Sequence, residues 1–295
     1  MYKWLIKAGL VLILLFIAAS CNNNDDLKEI DISRTATNQK GKNVKTHPKL
    51  FVAVSSMISP VETFYLYRNL IEYISTKMGV AIEFKQRKTY EEVNDLLQKK
   101  QIDFAFICTG AYLRAKRNFP LELLVVPVVN GKATYQAYII ANKQGGIKSF
   151  DDFEGKSFAF TDPFSKTGCT YVLNLLKQKE HKPAEFFYKT IFTYAHDYSI
   201  QAVERKIVDG ATVDGLVYEY LKKYQPAKVR DVVVIKKSEE YGIPPFVVQP
   251  DLNDSLKTRL RNIMLNMHND PEGRELLNKI MIDKFVLGND AAYKK

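Results

Sequence analysis

The residues best placed to do chemistry lie between Thr161 and Gly168, in the stretch Asp162-Pro163-Phe164-Ser165-Lys166-Thr167-Gly168. An apolar run precedes it and a helical pattern through Leu176 follows it. Ser165, Lys166 and Thr167 therefore fall at the first turn of a helix, where backbone N–H groups are unpaired and the dipole is positive. Backbone donors, two hydroxyls and an ammonium together suit an anion. The same residues also suit a plain helix cap, with Ser165 or Thr167 satisfying its own helix, so both readings stand. His196 holds the corresponding place after a later strand, beside Asp197, which could cap the next helix. A histidine there could donate a hydrogen bond to an anion, and its charge would make binding depend on pH. Tyr90 and Tyr112 open helices after strands, and Tyr135 follows the turn at Asn130-Gly131. Asp214 ends a strand beside Gly215, facing a cleft or capping the helix from Val217 to Tyr224.

Signatures of catalysis are missing. The chain has no Gly-x-Ser-x-Gly elbow, no Walker loop and no Gly-x-Gly-x-x-Gly turn. Its four histidines, His47, His181, His196 and His268, are scattered, and there is no Cys-x-x-Cys, so neither a metal nor a cofactor is expected. A Ser165–His196 dyad would lack a nominated acid and an oxyanion hole. An enzyme would have to use Cys169. Binding without turnover is the better expectation. Cys108 and Cys169 could pair in an oxidising compartment, but without a local motif they read as free, partly buried thiols.

The elements that must position these residues alternate between strand and helix patterns. Leu50–Val54, Val80–Phe84 and Ile102–Ile107 read as strands. Ser59-Pro60-Val61-Glu62 predicts a helix start with Ser59 as cap and Glu62 closing a box, and Gly79 as the stop. Thr89-Tyr90-Glu91-Glu92 predicts a second capping box. Leu121–Val129 and Thr134–Ala141 are expected to form a hairpin through Asn130-Gly131. A second set follows, with strands at 157–161, 187–192, 211–216, 232–235 and 246–248, and two terminal helices, 254–267 and 271–281. This alternation implies an α/β fold of mainly parallel sheets flanked by helices. Two such sets, linked by strands near residues 138 and 240, imply two lobes with a site in the cleft between them. The expected division is 49–140 plus 243–295 for the first lobe and 141–242 for the second.

The first residues set the compartment. Lys3 and Lys7 precede an apolar and small-residue run from Ala8 to Ser20, too short for a membrane span of roughly 20 residues. It reads as a signal peptide over residues 1–20. The run ends in Ala18-Ala19-Ser20-Cys21, which resembles the bacterial lipobox, with Ala18 where Leu is commoner. Cys21 would then be the lipidated first residue of the mature chain, exported and anchored to a bacterial membrane on its periplasmic or outer side. Residues 21–48 are polar and aperiodic, as a flexible tether would be. The net charge of +10 is spread through every segment, so it predicts a solvated basic surface rather than a nucleic-acid face.

The body from Leu50 to Tyr293 resembles the phosphate/phosphite/phosphonate family of ABC-transporter substrate-binding proteins, the PhnD-like group of type II periplasmic binding proteins. The resemblance is carried by Thr89-Tyr90, Ile102-Asp103-Phe104-Ala105, Thr109-Gly110-Ala111-Tyr112 and Tyr135-Gln136-Ala137. It continues through Phe158 to Pro163 with Ser165-Lys166-Thr167-Gly168, then His196-Asp197, Val208-Asp209-Gly210-Ala211, Val213-Asp214, Asp270 to Arg274 and Lys284-Phe285-Val286. It implies two α/β lobes joined by hinge strands and closing over a small oxyanion. It assigns ligand contacts to Tyr90, Thr109, Tyr135, Ser165, Lys166, Thr167 and His196, with Asp214 as the nearest counterpart of an amine-recognising acid; Tyr112, at the start of a helix, is a further candidate for the cleft. The usual Ser-Thr-Ser-Gly of the family reads Ser165-Lys166-Thr167-Gly168 here, so Lys166 is expected to alter the charge at the site. The implied partners are an ABC permease and ATPase, with the chain as a monomer. A ligand-sensing lipoprotein coupled to a signalling partner is the alternative.

Overall fold

The computed structural model describes residues 49–293. The expected signal peptide, Cys21 and the tether lie outside the described residues. Helix α1 (Pro60–Met78) begins with Pro60 in its first turn and ends at Gly79, whose φ of 57° lets its N–H reach back to the Ser75 and Thr76 carbonyls. Tyr67, Leu70, Ile71, Ile74 and Met78 form its buried face. Ser59 does not cap it with its side chain as expected. The Ser59 backbone N–H instead donates to Asp197 Oδ1 at 2.8 Å, so a carboxylate from a distant helix takes the place Glu62 would hold in the box. At α2 (Tyr90–Gln98) the capping box forms as predicted. Thr89 Oγ1 accepts from the Glu92 N–H, and Glu92 accepts from the Thr89 N–H.

Among the described residues, the strands make two main sheets. The first draws on β1 (Leu50–Val54), β2 (Ile82–Phe84), β3 (Phe104–Phe106) and β4 (Glu122–Val128). A short strand β5 (Thr134–Tyr135) follows. The second sheet comprises β6 (Ala137–Asn142), β7 (Ser157–Phe160), β8 (Lys189–Phe192), β9 (Gly210–Asp214) and β10 (Val232–Lys237). After β11 (Tyr241–Gly242) the chain returns to the first sheet with β12 (Phe246–Val248) and β13 (Lys284–Val286). The orders are β13-β4-β12-β3-β1-β2 and β10-β6-β9-β7-β8. Pairing is parallel among β3, β1 and β2 and among β9, β7 and β8, where helices connect the strands. It is antiparallel for β6, which arrives from the first sheet and pairs with β9 and β10, for β12, which returns from the second and pairs with β3 and β4, and for β13 on β4.

The turn at Asn130-Gly131 has both residues at positive φ, 51° and 75°, as a type I′ turn requires. Val129 and Lys132 exchange hydrogen bonds of 2.8 and 3.1 Å across it. The expected hairpin goes no further than this bridge. Strand β4 is already paired on both sides, to β13 and β12, so a returning strand finds no edge. The chain therefore leaves the first sheet. Strand β6 lies wholly in the second, which places the crossing before residue 137 rather than at 140. The two crossing segments pair with each other through β5 and β11, with Tyr135 opposite Tyr241.

Candidate functional site

The carboxyl end of β7 leads through Thr161 and Asp162 into the loop singled out above. Residues Lys166–Thr170 form a wide π-turn before helix α4 (Tyr171–Gln178) rather than starting it directly. Ser165 Oγ accepts from the Gly168 N–H at 2.9 Å, so the capping reading holds for this hydroxyl. Its acceptor side is spent on Gly168 and on the Cys108 thiol at 3.9 Å, which leaves its own proton to donate. Gly168 is required by close approach. A Cβ there would lie 2.5 Å from Thr161 Cβ and 2.7 Å from His196 Cε1.

After the short helix α5 (Pro183–Phe186) and β8, His196 opens helix α6 (His196–Glu204). Tyr194 just before it sits at a φ of 61°, held by its N–H to the Thr161 carbonyl at 2.7 Å. The His196 ring is fully buried, and its Nδ1 accepts from the Asp214 backbone N–H at 3.0 Å. A backbone N–H can only donate, so in the neutral ring the proton resides on Nε2. Burial pulls the imidazole pKa down to about 3. The expectation that His196 would switch charge near neutrality is thereby corrected: it is a neutral donor. Asp197 does not cap α6 but reaches across to Ser59.

Elements of the two sheets touch here. The Tyr90 N–H at the start of α2 donates to Asp162 Oδ2 at 3.1 Å, and the His196 N–H donates to the Met57 carbonyl at 2.9 Å. Helix α3 (Thr109–Asn118) presses its first turn on the 164–166 loop, where a Cβ at Gly110 would fall 2.1 Å from the Phe164 carbonyl oxygen.

At this junction the hydroxyls of Ser55, Tyr90, Tyr135 and Thr167 and Nε2 of His196 are all buried without a hydrogen-bond partner in the protein. The Tyr135 hydroxyl lies beside those of Thr109 and Thr167 without reaching hydrogen-bond geometry. An unsatisfied buried polar group costs about 1–3 kcal/mol, and native proteins hold few. Each of these five atoms can donate, as recognition of an oxyanion requires. Ser55 and Tyr135 also line a cavity of about 250 Å³ whose further walls include Tyr67, Tyr138, Asp214 and Tyr220.

The structure sorts the expected residues. Tyr90, Tyr135, Ser165, Thr167 and His196 come together. Tyr112 does not: its hydroxyl donates to Asp290 and its ring packs edge-on against Tyr293, 4.8 Å between centroids, on the side of the C-terminal turn. Thr109 donates its hydroxyl proton to the Gly242 carbonyl at 2.7 Å, so only its backbone remains to donate. Lys166 sets its ammonium over the Tyr241 ring at 4.4 Å, near Glu239, and burial lowers its pKa. Asp214 caps helix α7 (Gly215–Tyr224), accepting from the Leu216 N–H at 2.7 Å, and also lines the cavity, where burial lifts its pKa to about 7. Ser55 escaped the reading of the sequence. Its signal resembled the one that exposed Ser165 and His196, a polar residue in the loop that follows a strand. Cys108 and Cys169 are free and buried, and burial pushes their thiols up to about 11 and about 12.

Residues 52–293 match the family described as "ABC transporter, phosphonate, periplasmic substrate-binding protein". The phosphonates-binding periplasmic protein of Escherichia coli is 23% identical over 75% of this chain and 66% of its own length. The phosphate-import protein PhnD of Mycolicibacterium smegmatis is 26% identical over 65% of this chain and 64% of its own. The chain thus spans just under two thirds of the length of these relatives. A binding-protein component of an ABC phosphonate transporter from Pseudomonas aeruginosa superposes with a TM-score of 0.79 at 23% identity, covering 84% of this chain and 83% of that one. PhnD1 of Prochlorococcus marinus, solved with methylphosphonate, gives 0.77 at 17% identity, covering 83% and 94%. These likenesses identify the type II periplasmic-binding-protein fold. The chain belongs to the family of periplasmic substrate-binding proteins of phosphonate ABC transporters.

Proposed function

We propose that this protein is the lipid-anchored substrate-binding component of an ABC importer, taking a small phosphonate-class oxyanion between its two lobes. The observation that carries this reading is the set of five buried, unpartnered donors at Ser55, Tyr90, Tyr135, Thr167 and His196. None of the five is a cation, and the ammonium of Lys166 lies over the Tyr241 ring. Neutral donors preorganised out of water suit a doubly charged oxyanion, because hydrogen bonds to charged groups are the strong ones. The Ser165 hydroxyl and the backbone N–H groups of the α3 start would complete the shell.

Binding would be a clamshell closure, with the paired crossing strands β5 and β11 as the hinge and Cys21 as the membrane anchor that keeps the receptor beside its permease and ATPase. The contacts from Tyr90 to Asp162, Ser59 to Asp197 and Met57 to His196 join the two lobes and would hold the closed form. Isothermal titration with phosphate, phosphite and alkylphosphonates tests the reading. Binding of at least one member at micromolar or tighter affinity is expected, and no binding across the series would overturn the ligand class.

A further inference from the structure

The donors account for the charged end of a ligand but not for the cavity beside them. It opens from Ser55 and Tyr135, so it continues directly from the donor cluster. Its volume, about 250 Å³, exceeds the roughly 150 Å³ that accommodates a benzene molecule, and equals about eight water volumes at ~30 Å³ each. A methyl group would occupy a small part of it.

The walls differ in kind from the donor cluster. Leu66, Phe106, Val217 and Ile282, with the rings of Tyr67 and Tyr220, supply much of the lining. Several polar side chains on the same walls already have partners within the protein. Thr63 donates to the Ile58 carbonyl at 2.9 Å, Gln136 to the Ser238 carbonyl at 2.5 Å, and Lys132 pairs with Glu240 at 2.6 Å. Asp214 turns one oxygen to the Leu216 N–H, and its raised pKa reflects an apolar setting. We infer that the ligand is an organophosphonate with an apolar, aryl-sized substituent on phosphorus, and that this cavity receives the substituent. The inference rests on the oxyanion reading above and adds the substrate class. Inorganic phosphate or methylphosphonate would leave most of the cavity unused, whereas each methylene-sized increment of burial is worth about fourfold in affinity.

Titration of the full chain with inorganic phosphate, methylphosphonate, 2-aminoethylphosphonate and benzylphosphonate tests this. Benzylphosphonate is expected to bind roughly thirtyfold or more tightly than methylphosphonate. It should also show the most negative heat-capacity change, the marker of apolar burial. Equal or weaker binding of benzylphosphonate, or tightest binding of the aminoethyl ligand, overturns the inference while leaving the oxyanion reading intact. Failure of all four to bind overturns both. Leu66→Trp narrows the cavity from its partly exposed side and is expected to cost benzylphosphonate at least about tenfold more than methylphosphonate. An equal loss for the two ligands overturns the inference. The heat-capacity comparison needs only the unaltered chain and decides the question if the variant does not fold.

Discussion

The donor cluster and the cavity it opens into are built from neighbouring residues by opposite rules. In the cluster, polar atoms are buried and left without partners in the protein, at a cost to the fold. Along the cavity, polar groups are mostly paired within the protein and apolar surface is left to be covered. On the reading proposed above, one region would set affinity for an anion and the other would set which anion. His196 and Asp214 stand where they meet, joined by the Asp214 N–H on His196 Nδ1. Burial disfavours the charged form of both and so moves them in opposite directions, the imidazole down to about 3 and the carboxyl up to about 7.

That opposition gives the largest expected effect. The folded pKa of His196 lies below its ordinary 6.5, so its contribution to stability is full above 6.5 and is lost as pH falls toward about 3. The folded pKa of Asp214 lies above its ordinary 3.8, so its contribution is full below 3.8 and is lost as pH rises through about 7. Between 3.8 and 6.5 the two slopes, each about 1.4 kcal/mol per pH unit, cancel. Asp214→Asn, which keeps the cap, is expected to leave stability rising with pH across that window, and His196→Gln to leave it falling. Urea unfolding at a series of pH values reads both, and slopes of the same sign would break the comparison.

Affinity comes next. His196→Ala is expected to weaken oxyanion binding about a hundredfold, as loss of a buried donor to a charged group implies. His196→Gln should recover part of this, since an amide can accept from the Asp214 N–H and still donate. Titration calorimetry on both variants checks the order. Tyr135→Phe and Tyr90→Phe should each cost about tenfold in affinity while leaving ligand-free stability unchanged or higher by up to about 1 kcal/mol, because each removes an unsatisfied buried hydroxyl. A drop in the melting temperature of the ligand-free variants would mean those hydroxyls have structural partners after all. The smallest effect belongs to Lys166→Met. With the ammonium over Tyr241, oxyanion affinity is expected to change by less than about threefold. A loss of tenfold or more in titration would place that charge at the ligand.

Much of this was legible along the chain. Apolar runs of three to five residues marked β1, β3 and β7, Gly79 marked the end of α1, and the Thr89 box marked the start of α2, because each depends on neighbours within one turn or one strand. The residues at strand ends that gather at the site, Ser165, Thr167 and His196, were legible for the same reason: a parallel sheet delivers its strand ends to one side.

Tertiary structure decided what local pattern leaves free. Ser59 and Asp197 each looked like the cap of its own helix, yet they bond to each other across the two lobes. The turn at Asn130-Gly131 formed but its hairpin stopped at one bridge, because β4 had no open edge. Tyr112 and Lys166 carry the right chemistry, but Asp290 and Tyr241, distant in sequence, take their polar ends. Ser55 carries an unremarkable hydroxyl that becomes a donor only because burial removes every other partner. The sequence by itself determined which groups could bind an anion. Which of them remain unpaired, and what lies beside them, depended on contacts between segments far apart along the chain, where hydrogen bonds and packing are won by whichever partner the fold brings closest.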